Sequence, residues 1–140
     1  MAVDTRFEAR YRVYWHHTDA AGIAHFTRIL ALVEQAEEDF YRQRGAATQN
    51  FINGIPRREV YVQFFSPLKV GDQVSIRLCA KDVRIRAVKY HFEIYNLTAD
   101  VKAAEGHVVA VCVGLEEGKL TAVRCPEEFL KVWQETSCVK

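Results

Sequence analysis

Within HTDAAGIAHF, residues 17–26, a carboxylate (Asp19), a glycine (Gly22) and an imidazole (His25) fall inside seven positions. A carboxylate at such a spot can attack a carbonyl or take a proton from water. If residues 23–26 open a helix, their N–H groups have no partner within it, and they are suited to holding the negative oxygen of a tetrahedral intermediate. Gly22 lets a ligand approach the backbone closely. A carboxylate beside such donors is the equipment of acyl transfer. The plainer alternative is that Asp19 only makes an Asx turn or caps the helix.

Two other chemistries fit less well. His16, His17 and His25 with Asp19 offer metal-ligating atoms, but neighbours on a strand point to opposite faces, so His16 and His17 would diverge and no metal site is expected. Cys79, Cys112, Cys125 and Cys138 are widely spaced, and none forms a CxxC pair; they are expected to be buried thiols. No local signature pairs one of them with His91 or His107 as a nucleophile.

The elements that must position this stretch follow from periodicity. Phe7, Ala9, Tyr11, Val13 and Trp15 alternate as on a half-buried strand. From Phe26 the period becomes helical, with Ile29, Leu30, Val33, Ala36, Glu37 and Phe40 on one stripe and Gly45 as the stop after residue 44. A loop, AATQNFINGIP, leads to an alternating strand, RREVYVQFF. Strands around 73–80 and 88–94, a long β-branched strand over 101–115, a hairpin turn at EEGK and a short helix opened by Pro126 complete the chain. One helix cannot cover both faces of such a sheet, so a second copy is the expected partner.

Composition narrows the function classes. The 140 residues fit one domain, 1–140, with 49% hydrophobic and 26% charged residues. Nineteen basic against eighteen acidic side chains give no global field for nucleic acid or an anionic membrane. The N-terminal MAVDTRFEARYRVYW has no apolar core of a signal peptide, and the longest apolar run, VVAVCVGL, is too short to span a bilayer. A cytoplasmic protein without membrane insertion is expected.

TDAAGIAHF followed by EQA at Glu34–Ala36 resembles the hotdog-fold acyl-CoA thioesterases of the 4-hydroxybenzoyl-CoA thioesterase type, which share an Asp-x-x-Gly turn and a Glu-x-Ala helix. The resemblance implies an α+β hotdog fold, an antiparallel sheet wrapped around one long helix, in a homodimer or homotetramer with the active site between subunits. It implies hydrolysis of an aryl- or fatty-acyl-CoA without a cofactor, with Asp19 as nucleophile or general base. The polarising amide would belong to Ile23, Ala24, His25 or Phe26, next to Gly22. Many relatives have tyrosine then histidine where this chain has His25 then Phe26, so the aromatic–imidazole order is reversed or shifted, and His25 is a candidate for the family histidine's role without matching its position.

The same resemblance makes further residues candidates for substrate binding. A second branch of these enzymes takes its carboxylate from the central helix, which points to Glu34. Phe26, Tyr61 and Phe64 are available to line the acyl site. Arg84 and Arg86, in KDVRIRAVK, are candidates for the phosphates of coenzyme A, although basic residues on a strand also blunt an exposed edge. Two rival functions stand beside hydrolysis: hydration or dehydration of an acyl thioester on the same fold, and non-catalytic acyl-CoA binding.

Overall fold

The computed structural model describes residues 6–46 and 54–138. Most of the loop expected over AATQNFINGIP, residues 47–53, lies outside them.

A strand, β1 (Phe7–Arg12), is followed by one turn of 3-10 helix at Trp15–His17 and then by the long helix α1 (Phe26–Gln43). Strands β2 (Arg57–Phe64), β3 (Gln73–Val83), β4 (Ala87–Asn96) and β5 (Val101–Val111) come next, then a small hairpin of β6 (Val113–Glu116) and β7 (Lys119–Ala122), and helix α2 (Glu127–Gln134). The five larger strands form one antiparallel sheet in the order β1-β3-β4-β5-β2. β1 and β2 are therefore the two edges, and α1, between them in sequence, must cross the sheet. Its 18 residues span about 27 Å, more than the roughly 19 Å across five strands. This is the hotdog arrangement.

The stripe read from the sequence is the buried face of α1. Ile29, Leu32, Val33, Ala36, Phe40 and Tyr41 pack against Leu78, Tyr90, Phe92 and Ile94 of the sheet in one core cluster. Glu37 sits on that stripe and is buried with it. α2 closes the C-terminal end of the core. Trp133 stacks on Tyr90 and packs on Phe40, with ring centroids 4.8 and 4.6 Å apart.

The structure corrects three expectations. First, β1 ends at Arg12; Trp15, His16 and His17 form the 3-10 turn, so the two histidine rings lie side by side, 4.1 Å apart, instead of diverging. Second, the long strand over 101–115 breaks at Cys112, whose N–H turns to the carbonyl of Arg86; β6 and β7 pair only with each other. Third, the cysteines are not thiols. Cys79 pairs with Cys138 and Cys112 with Cys125. The second disulfide ties the break to the start of α2, whereas the first staples the C-terminal segment to β3, where Thr136 Oγ1 accepts the N–H of Ala80. That segment lies against β3 beyond the reach of β1, which pairs only with residues 73–78.

At the other edge, β5 approaches β2 closely enough that only glycine fits at position 106. A Cβ there would lie 1.8 Å from the Tyr61 carbonyl oxygen.

Candidate active site

The Asp19 turn is built by its own backbone. Asp19 N–H donates to the Ile23 carbonyl at 2.9 Å, Gly22 N–H donates back to the Asp19 carbonyl at 3.0 Å, and Gly22 takes φ +77°, a conformation that a side chain would resist. Asp19 Oδ1 accepts the N–H of Ala21 at 2.8 Å, so the Asx turn expected as the plainer role is present. Two further backbone bonds dock the turn: Ala24 N–H to the Leu68 carbonyl at 2.7 Å and His25 N–H to the His17 carbonyl at 2.9 Å.

His25 is the N-cap of α1. Its Nδ1 accepts the N–H of Thr27 at 3.3 Å and lies 2.8 Å from the Thr27 hydroxyl, while its ring stacks on Phe26 at 4.7 Å. The imidazole of His25 thus serves as a helix cap. His17, buried, accepts the N–H of Tyr14 through Nδ1; burial, with His16 adjacent, holds its pKa below the ordinary histidine value.

These bonds sort the candidate polarising amides. Those of Ala24, His25 and Thr27 are engaged within the chain. Among the described residues, the N–H groups of Ile23 and Phe26 have no such acceptor, and Phe26 is the first residue of α1, where the helix dipole adds to its pull on a negative oxygen.

Beside them lies a depression of about 370 Å³ walled by Ile23, Ala24, Phe26, Ile29, Phe64 and Phe65. Phe26 and Phe64 are 56% and 46% exposed, a large amount for aromatic side chains. Asp19 is itself exposed and does not line this depression.

The other candidates are dispersed. Tyr61 is on the opposite face of β2 from Phe64, stacked on His107 at 5.4 Å, because residues three apart on a strand point opposite ways. Glu34 is exposed halfway along α1. Arg84 and Arg86 project from the β3–β4 turn with Arg58, at the end of β2 remote from Phe64. Arg84 is paired with Asp82 at 2.8 Å.

One polar centre was not singled out from the sequence. Glu37 is 1% exposed, and its carboxylate accepts hydrogen bonds from Tyr90 (2.6 Å) and Arg57 (2.8 Å) on Oε1 and from Tyr41 (2.6 Å) on Oε2. Burial and the adjacent carboxylate push both tyrosines well above the ordinary phenol range. An acid on the apolar stripe was the available signal.

Among the described residues, the group of three or more side chains within metal-ligating distance of one another is His91, Glu93 and Glu105, on the outer face of the sheet. There the Lys102 ammonium already bridges the two carboxylates at 3.4 and 3.1 Å.

A sheet wrapped around a helix whose N-terminus carries a carboxylate turn, free amides and an apolar depression defines the hotdog class of acyl-thioester enzymes. The sequence profile of the thioesterase-like superfamily matches residues 13–133, and the chain belongs to that family. It is similar to a 1,4-dihydroxy-2-naphthoyl-CoA hydrolase of Microcystis aeruginosa, 28% identical over 126 residues, covering 86% of this chain and 87% of that protein. Its fold matches a 1,4-dihydroxy-2-naphthoyl-CoA thioesterase from Synechocystis with a TM-score of 0.83, at 22% identity over 92% of this chain and 96% of that one. The 4-hydroxybenzoyl-CoA thioesterase of Pseudomonas sp. strain CBS-3 matches with a TM-score of 0.80, at 15% identity over 91% and 99%. By class the protein is a thioester hydrolase.

Proposed function

We propose that the chain hydrolyses the thioester of an acyl-CoA, aryl or fatty, with Asp19 as nucleophile or general base and the N–H groups of Ile23 and Phe26 drawing electron density onto the carbonyl oxygen. The observation that carries the reading is the pair of unengaged amides at the start of α1, next to the Asp19 turn and an apolar depression. A thioester is already an activated carbonyl, so a carboxylate and two oriented donors suffice, and no cofactor is called on. The names of the relatives support a coenzyme A thioester as substrate.

The same reading places the site between two copies. Among the described residues β2 is an edge strand, paired only with β5, and Val60, Tyr61, Phe64 and Phe65 on and after it are all nearly half exposed. If two copies pair their β2 strands antiparallel, the end of one strand that carries Arg58, with Arg84 and Arg86 beside it, comes next to the Phe64 end of the other. Those guanidinium groups then face the phosphates of a coenzyme A whose thioester lies at the first copy's Asp19.

No helix among the described residues is long and apolar enough to cross a membrane. The two disulfides fit an oxidising compartment and weigh against the cytoplasm expected from the sequence.

A thiol-release assay over aromatic and aliphatic acyl-CoAs tests the activity. Release by the natural chain, lost in Asp19→Asn, supports the reading; equal release by that variant removes Asp19 from the chemistry. Sedimentation equilibrium tests the assembly, and a monomer at micromolar concentration overturns the shared site.

A further inference from the structure

Three depressions follow one another along the seam between α1 and β2. The first, about 370 Å³, is the apolar one beside Ile23, Phe26 and Phe64. One turn further along α1 is a second, about 120 Å³, between Leu30 and Val33 on the helix and Val60 and Val108 on the sheet. The third, about 200 Å³, shares Glu34, Glu37 and Arg57 with the second and ends at Tyr41. Residue numbers rise along α1 as they fall along β2, so the three lie in line and the first adjoins the free amides.

The walls change character along this line. The first depression is mostly apolar; the second has Leu30, Val33, Val60 and Val108 on its walls together with Glu34, Glu37, Arg57 and Tyr90, and the third keeps Glu34, Glu37 and Arg57 without those aliphatic side chains. Glu37 is locked by Tyr41, Tyr90 and Arg57, and Arg57 also donates to the Ile55 carbonyl at 2.6 Å, so the pair cannot swing aside. An alkyl chain pushed past Val33 would strip water from Glu34 and Arg57 and give nothing in return. From Phe26 to Glu34 the helix rises about 12 Å. That is the span of an extended chain of roughly ten carbons. A single aromatic ring placed in the first depression leaves Leu30, Val33 and Val60, in the second, uncovered.

We propose that this seam binds an unbranched aliphatic acyl group of medium length, and that Glu34 with the fixed Glu37–Arg57 pair sets its upper limit at about ten carbons. The proposal rests on hydrolysis at the Asp19 turn as its chemistry, and it selects the fatty over the aryl alternative.

The test is the kcat/KM profile for saturated acyl-CoAs of increasing length, with benzoyl-CoA alongside, in the natural chain, Glu34→Leu and Leu30→Trp. Both substituted side chains lie on the open side of α1, and circular dichroism checks that the variants fold. The expected profile climbs by up to about fourfold per buried methylene, peaks near ten carbons and drops at least about tenfold four carbons later. Glu34→Leu moves the peak to longer chains, and Leu30→Trp moves it to shorter ones. A flat profile, a preference for benzoyl-CoA, or a peak that neither variant moves overturns the proposal.

Calorimetric binding of decanoyl-CoA and benzoyl-CoA to Asp19→Asn separates the two readings. If decanoyl-CoA binds at least about tenfold tighter while the natural chain releases no thiol, the seam stands and hydrolysis falls; equal binding overturns the seam whatever the turnover.

Discussion

Asp19 Oδ1 holds the backbone N–H of Ala21 at 2.8 Å, so one carboxylate serves both the turn and, in the proposed function, the reaction. The two roles come apart by substitution. Asparagine keeps an oxygen for the Ala21 N–H and loses only the charge and basicity. Asp19→Asn should therefore lower kcat by about 10²–10⁴-fold at unchanged melting temperature. Asp19→Ala should lose the same activity and also roughly 1 kcal/mol of stability. Thiol release and thermal unfolding of the two variants, side by side, check this.

The Glu37 centre gives a stability prediction. Arg57→Met leaves a buried carboxylate without its cation, and the cost is expected at about 3–5 kcal/mol by urea unfolding. Glu34→Gln, on the exposed flank of the same helix, should change stability by less than about 0.5 kcal/mol. Equal effects would mean that the Arg57–Glu37 pair contributes nothing that an exposed charge does not.

Alkaline pH should weaken the fold through the same centre. Tyr41 and Tyr90 are held well above the ordinary phenol range in the folded chain, and Tyr11, which donates to Asp39, is raised as well. A group whose folded pKa is raised contributes stability that is intact below its unfolded value. Above about pH 10 the unfolded chain ionises these phenols and the folded chain does not, so stability falls as pH climbs. Tyr90→Phe should be less stable than the natural chain at pH 8 but decline less steeply above about pH 10, as read from melting temperature against pH.

The disulfides should contribute unequally. Cys79–Cys138 closes a separation of 59 residues and Cys112–Cys125 one of 13, which in the chain-entropy picture is worth about 4 and about 3 kcal/mol. Replacing the Cys79–Cys138 pair by serine should lower the urea midpoint more than replacing the other pair. Thiol titration of the denatured, unreduced protein should find no free thiol.

Gly106→Ala should be among the most damaging small substitutions. Its methyl would fall 1.8 Å from the Tyr61 carbonyl oxygen and 2.9 Å from the Phe92 ring, so β2 must part from β5. A loss on the order of 3 kcal/mol or more is expected. Assembly through β2 should weaken with it, which sedimentation at micromolar concentration would show.

Local interactions made much of this protein legible in its sequence. The helix from Phe26, the strands of alternating residues and the turn at Asp19 and Gly22 depend on neighbours a few positions apart, and periodicity reports those directly. The resemblance of TDAAGIAHF and EQA pointed to the wrapped sheet and to the family. What periodicity could not report was partnership between distant residues. The helical spacing placed Glu37 on the apolar stripe of α1, but only the crossing of α1 over the sheet buried it and brought Tyr90 and Arg57 to it. Cysteine spacing suggested thiols, because nothing local reports that Cys138 lies beside Cys79 of β3. Four amides looked equally able to polarise a carbonyl until the docking of the turn on Leu68 and His17 engaged two of them. Sequence determined where most of the helices, strands and turns lie, since those states are set largely by local sterics and hydrogen bonds; the tertiary structure decided where the first and fifth strands stop, which groups are paired and which are left for a ligand, since that depends on elements far apart in the chain meeting in space.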